Sequence, residues 1–382
     1  ISNIMDITNI IQLSKKNKLE VNILFFSVLL LPISLFSGPL ITEILIFLIC
    51  ISFIYGLSSE KRKISFNNFE IILISFFCLI VISSLLSDYK LLSLKSSFLS
   101  IRFVILIYAI IFILKKLDYF FKYFFIICLV SFILNIAGGA AQFFYGDDLF
   151  LNVKGADSLI ITGFFGDEKR LGSFLCRLLP LLIGCYLLIS KKKIEKKINN
   201  IIIFFIPLFL LVFLTRERMA LIYCASTFLF FIFYISKIKI KIIIIFSSLI
   251  ILIPVLLYLV DFNKFKESIR HSYNQVFPYG ELVYFSEQHE AFAMTSIELF
   301  KKNPFFGIGP NNFRRKCNEV DNPFKKKINI NYLRIFKFSD TRIQNCSTHP
   351  HNIFFQLLSE TGFIGIIYYI IFNTFIFIEV FR

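Results

Sequence analysis

Residues 346–381 read CSTHPHNIFFQLLSETGFIGIIYYIIFNTFIFIEVF. From Ile353 onward the run is overwhelmingly apolar and exceeds the roughly 20 residues that a helix needs to cross a bilayer. The same pattern recurs upstream, at about 21–38, 40–57, 69–86, 98–114, 119–137, 171–190, 200–214, 218–236 and 241–260. Ten such runs, 57% hydrophobic residues and a mean hydropathy of +0.76 lie far outside the range of an ordinary soluble domain. In hydrocarbon every backbone polar group must be satisfied within its own segment, so the expected architecture is all-α, a polytopic helical membrane protein. Its expected organisation is a nine-span bundle over 1–260, an extramembrane segment over 261–351 and a last span over 352–382.

The net charge of +16 could suggest a nucleic-acid partner, but its distribution points elsewhere. Lysines and arginines gather at Lys15–Lys18, Lys61–Lys63, Lys115–Lys116, Lys191–Lys197 and Lys237–Lys241, which are alternate connections between spans. This is the positive-inside pattern, and it puts those connections in the cytoplasm. The clusters form no single basic and aromatic surface, so no nucleic-acid partner is expected. Residues 261–351 then lie on the outer side. A segment that long should fold as a partly helical cap, with an amphipathic helix over 286–302 ended by Pro304 and the Gly307–Pro310 turn. No cleavable leader is evident, and a start at Ile1 with an end at Arg382 just past a span suggests a piece of a longer chain.

Six of the eight cysteines fall in apolar runs, where they act as small hydrophobes. Cys317 and Cys346 both lie in the outer segment. A bridge between them would close about 30 residues and stabilise the cap by roughly 3–4 kcal/mol, given an oxidising compartment. The alternative is two free thiols. A zinc site made of this pair with His349 and His351 lacks recognisable ligand spacing, and no metal is expected.

Charged groups at membrane depth are expensive and mark function by default. Arg102 begins the fourth run, Arg218 the eighth, and Arg177 lies about 9 Å into the sixth at 1.5 Å per residue. Guanidinium forks suit phosphate oxygens, although each arginine could instead be an interfacial anchor. Asp167 and Glu168, in the glycine-rich stretch ahead of the sixth run, could position an acceptor sugar, pair with arginines or cap a helix. All four histidines (His271, His289, His349, His351) fall in the outer segment, and imidazole moves protons near neutral pH. One proline between His349 and His351 suggests that the two rings diverge. Asn352 could cap the last helix, and Gly362 and Gly365 would admit a second helix.

Four blocks, Gly163–Pro180, Thr215–Leu221, Asn303–Cys317 and Cys346–Gly365, resemble in order those of the O-antigen ligase family, which includes O-antigen polymerases. His351-Asn352, nine residues, then Gly362-x-x-Gly365 is its most specific signature. Glu217 departs from the family's usual entry to the eighth span. The resemblance implies a glycosyltransferase of the bacterial inner membrane with its active site facing the periplasm. It would move a glycan from undecaprenyl diphosphate to a lipid A–core sugar hydroxyl, with inversion. His351 would be the general base assisted by His349, Arg177 and Arg218 with Arg102 would hold the diphosphate, and His289 would support the site. With no Asp-x-Asp pair in the outer segments, arginines would replace a metal, and no cofactor is implied. A polymerase using the same donor and a growing glycan as acceptor is the alternative. A non-catalytic lipid or glycan transporter would instead show internal repeats and helices broken at the midplane.

Overall fold

The computed structural model describes residues 19–59, 68–117, 119–145, 161–166, 168–190, 201, 205, 207–215, 217–231, 266, 269–270, 273–274, 277, 286–321 and 344–381. Among them the ordered secondary structure is helical: α1 (Leu19–Ser37), α2 (Pro39–Ser59), α3 (Asn68–Leu86), α4 (Lys90–Lys116), α5 (Phe120–Tyr145), α6 (Leu171–Ile189), α7 (Arg218–Phe230), α8 (Glu287–Lys302), α9 (Phe313–Lys316) and α10 (Ile353–Phe381). Six helices among the described residues (α1, α2, α4, α5, α6 and α10) are long and apolar enough to cross a membrane. Helices α3 and α7 carry shorter apolar stretches, Ile71–Leu86 and Met219–Phe230. The expected run at 241–260 and part of that at 200–214 lie outside the described residues, so the count of ten rests on the sequence.

Contacts gather the chain into two units, Ile1–Lys61 with Leu106–Arg270 and Arg62–Ile105 with His271–Arg382. In the first, α1 and α2 form a hairpin through Gly38, whose φ of 119° suits only glycine. Helix α1 also packs on α5, α5 on α6, and α6 on α7. The core of this unit is Leu171, Leu175 and Leu179 of α6 with Phe132 of α5 and Ala220 and Phe228 of α7. Gly139 of α5 permits a close approach: a Cβ there would meet Leu211 at 2.8 Å and Leu171 at 3.0 Å.

The second unit is held differently. The α3–α4 hairpin turns outward a row of apolar side chains, including Ile71, Leu85, Leu86, Phe98 and Leu99, and buries serines. Ser83, Ser84, Ser87, Ser93 and Ser97 are all at most 3% exposed. The Ser84 and Ser97 hydroxyls lie 2.7 Å apart, and Ser93 Oγ donates to Ser84 Oγ at 3.0 Å. Such pairing is what binds helices in lipid, where burying leucine gains nothing over leaving it in the tails. At the hairpin turn, Lys316 of α9 bonds Asp88 at 2.6 Å and Glu319 at 2.8 Å. The Asp88 carboxylate, with Glu319, holds the lysine pKa above its usual value.

Helix α8 follows its amphipathic pattern: Phe292, Ala293, Ser296 and Leu299 are buried, and Ser286 caps it by accepting from His289 N. Helix α10 is broken at Gly362, with φ 69° and ψ −160°. The glycine admits a loop there, not a second helix. A Cβ on Gly362 would lie 2.4 Å from Phe305 O, and one on Gly307 2.4 Å from the Glu360 carbonyl carbon. The loop satisfies what the break frees: Phe363 N donates to Pro304 O at 2.7 Å, and Ser359 O and Glu360 O accept from Ile308 N and Gly309 N, both at 2.9 Å. Ser83 Oγ lies 2.7 Å from Phe306 O and 2.9 Å from Glu360 O, locking hairpin, loop and broken helix together.

Candidate functional site

The residues singled out in the sequence divide between the two units. Arg177 and Arg218 belong to the first; Arg102, His289, His349, His351 and Asn352 belong to the second. Asp167, His271 and the side chain of Arg218 lie outside the described residues.

In the first unit the heads of α6 and α7 lie side by side, because Glu217 joins them. Its carboxylate accepts from Gly172 N at 2.7 Å and from Ser173 N at 2.9 Å, with Ser173 Oγ on the same oxygen as the latter. The residue immediately before α7 thus caps the first turn of α6, where orphan N–H groups and the helix dipole favour a carboxylate. The approach demands Gly172, since a Cβ there would stand 2.6 Å from Thr215 Oγ1. Cys176 Sγ donates to Ala220 O at 3.1 Å, so the two helices run parallel from a common end. Arg177 is exposed one and a half turns into α6, its guanidinium 5.6 Å from the Tyr223 ring of α7, a cation–π geometry. Arg218 opens α7 itself. The head of α6 is thus already occupied by the Glu217 carboxylate, with Arg177 a turn and a half further along.

The stretch leading into α6 is fixed by Gln142 of α5, whose Oε1 accepts from Thr162 N and Gly163 N, each at 2.8 Å. Glu168 pairs at 2.6 Å with its neighbour Arg170, both exposed.

In the second unit, His289 of α8 and the 344–352 segment bring three imidazoles together. Several ties hold that segment to α8 and α9. Gln288 and Gln344 bond each other, Asn345 Nδ2 donates to Cys317 O at 3.2 Å and Val320 O at 2.8 Å, and a disulfide joins Cys346 to Cys317. The ring centroids of His349 and His351 are 4.2 Å apart, and those of His289 and His351 6.2 Å. The divergence expected from the intervening proline does not occur, because His351 takes a left-handed conformation, φ 56°, that turns its ring back. Phe292 of α8 stacks on His351 at 5.5 Å and 26°. Each imidazole meets a hydroxyl: Ser286 Oγ at 2.7 Å from His289 Nδ1, Thr348 Oγ1 at 2.9 Å from His349 Nδ1, and Ser347 Oγ at 3.1 Å from His351 Nε2. Partial desolvation lowers the His351 pKa below the usual histidine value, and His349 and His289 lower it further. The ring is thereby held in its neutral form near pH 7, with a lone pair free to take a proton. Among the described residues no three His, Cys, Asp or Glu side chains are grouped to hold a metal ion.

Asn352 Oδ1 accepts from Phe354 N at 2.9 Å and Phe355 N at 3.3 Å, capping α10 beside His351. Arg102 is half-buried on α4 in this same unit, its guanidinium 4.9 Å from the Phe103 ring.

Sequence reasoning passed over Glu360, took Glu217 only as a departure from a motif and read Gly307 only as a turn. Glu217 left a signal, a carboxylate standing where the resemblance expects a small polar residue. Glu360 left one too, an acidic side chain inside an apolar run.

Residues 203–370 match the family model described as O-antigen ligase. Three of the four sequence blocks fall within that stretch, including the histidine segment and the broken helix. No curated protein and no solved structure matches the chain.

Proposed function

We propose, from the match of residues 203–370 to the O-antigen ligase family model, that this chain is an O-antigen ligase of the bacterial inner membrane. It transfers polysaccharide from undecaprenyl diphosphate to a sugar hydroxyl of lipid A–core on the periplasmic face. The observation that carries this reading is the convergence of His289, His349 and His351 at the head of α10, with His351 turned back by its left-handed backbone.

In the proposed reaction a ring nitrogen of His351 takes the proton of the acceptor hydroxyl while that oxygen attacks the anomeric carbon. The bond from that carbon to the diphosphate breaks on the opposite face, so the centre inverts. Undecaprenyl diphosphate leaves with the electron pair, its growing charge held by Arg177 and Arg218, with Arg102 as a third cation. His349 orients the base. His289 and Asn352 keep the segment in place, and Asp167 and Glu168 contact the acceptor sugar.

The test is His351→Ala in a reconstituted assay with lipid-linked glycan and lipid A–core. Transfer is abolished while the variant inserts normally; undiminished transfer refutes the assigned base. Lipopolysaccharide profiles of a deletion strain separate ligase from polymerase. A ligase deletion strips all long chains from lipid A–core while lipid-linked polymer accumulates, whereas a polymerase deletion leaves one repeat unit attached.

A further inference from the structure

Glu360 is 4% exposed inside α10, and the reaction above gives it no task. Burying a carboxyl group is costly unless its oxygens are bonded. Here they are: Oε1 accepts from Phe313 N at 3.3 Å, Oε2 accepts from Gln356 Nε2 at 3.1 Å, and the Asn311 backbone N–H also donates to the group. Its backbone carbonyl meanwhile takes the Gly309 N–H. The side chain therefore gathers the 309–313 loop, including Asn311 in a left-handed conformation at φ 64°.

From that loop a line of rings leads to the histidines. Phe313 is fully buried and meets Phe292 edge-on, 6.4 Å between centroids at 90°. Phe292 in turn lies flat against His351. On the other side Gln356, bonded to Glu360, stands one turn beyond Asn352 and donates its N–H to the Asn352 carbonyl at 2.9 Å. We infer that Glu360 is a positioning residue for His351: by fixing the Asn311–Phe313 backbone it sets the Phe313–Phe292 pair on which the imidazole stacks. The inference rests on the reading of His351 as the base, and touches neither substrate nor reacting atom.

The groups facing His351 are Ser347 and His349 from its own segment and His289 and Phe292 from α8. Loosening Phe292 uncovers the ring and returns its titration toward that of free histidine. The full chain in proteoliposomes is compared with Glu360→Gln, Glu360→Ala and Phe313→Leu. Diethyl pyrocarbonate modification of His351, mapped by mass spectrometry across pH without substrate, reads the titration directly. In Glu360→Ala and Phe313→Leu the midpoint rises, and kcat falls about 100-fold, as for a misplacement near 1 Å, with KM for the donor unchanged. Glu360→Gln largely restores both, since an amide oxygen still accepts from the loop and its nitrogen can meet a turned Gln356. An unmoved midpoint in Phe313→Leu, or in a folded Glu360→Ala, overturns the inference. The modification assay needs no turnover, so it stands even if His351→Ala proves active and the catalytic reading fails.

Discussion

Replacing Gly362 by alanine probes the break in α10 directly. Two costs arise. At φ 69° an alanine enters the left-handed region, at about 1–2 kcal/mol. Its Cβ would also stand 2.4 Å from Phe305 O and 2.5 Å from the carbonyl carbon, rigid backbone that cannot rotate aside. Moving it costs about 1–3 kcal/mol as overpacking and stretches the bond from Phe363 N to Pro304 O. The total is about 2–5 kcal/mol, and its lower end already changes the folding equilibrium roughly 30-fold. Two glycines serve as controls. Gly184 in α6 has nothing within 4 Å of its would-be Cβ, so Gly184→Ala gains about 0.5–1 kcal/mol from helix propensity. A Cβ on Gly365 meets Thr361 Oγ1, which can rotate at the expense of its bond to Leu357 O, and Thr361 Cβ at 2.6 Å, which cannot, so Gly365→Ala is an intermediate case. Pulse proteolysis across an SDS titration ranks the three variants, with Gly362→Ala cleaved at the lowest detergent fraction. If Gly362→Ala survives as well as Gly184→Ala, the interlocked loop is not what holds this helix.

Three further outcomes are expected. Arg177→Lys keeps the charge but loses the planar fork, so transfer should drop well below wild type; full activity would make Arg177 a mere anchor. The acid limb of the pH–rate profile should fall below the usual histidine value of about 6.5, because a base with a lowered pKa stays neutral further down the pH scale. His289→Asn removes one of the groups that lower it, so the limb should climb; a limb that stays put would separate His351 from the rate. Non-reducing peptide mapping should recover Cys317 linked to Cys346, and losing a closure across 29 residues should cost the cap about 3–4 kcal/mol, measurable as earlier proteolysis of 286–321.

Periodicity and length sufficed for the existence of these helices but not for every end: the runs at 98–114 and 119–137 fall eight residues short of the start of α4 and the end of α5. Runs near 21–38, 69–86 and 353–381 differ from the observed elements by a residue or two, because hydrocarbon leaves the backbone no other way to satisfy its polar groups. The amphipathic helix at 286–302 was equally plain from its stripe. What sequence could not reveal depended on meetings between distant segments. Nothing local to Gly362 says that Pro304 and Phe305 come to it, 57–58 residues earlier in the chain. The ring proximity of His349 and His351 turns on one backbone dihedral, which an ordinary histidine would not adopt. Glu217 appeared as a deviation from a motif, yet its carboxylate closes a helix head 44–45 positions away.

The serine-lined interior of the α3–α4 hairpin sets how this chain can change over time. Its outward apolar side chains are exposed, and acyl tails around them would not distinguish isoleucine from phenylalanine or leucine, so those sites are open to drift under whatever nucleotide bias the genome imposes. The hydroxyls at Ser83, Ser84, Ser87, Ser93 and Ser97 allow no such freedom, being both small and bonded. A saturation library over residues 68–105 should therefore return a two-sided tolerance map: permissive to any greasy residue on one face, and confined to serine or its smallest substitutes on the other.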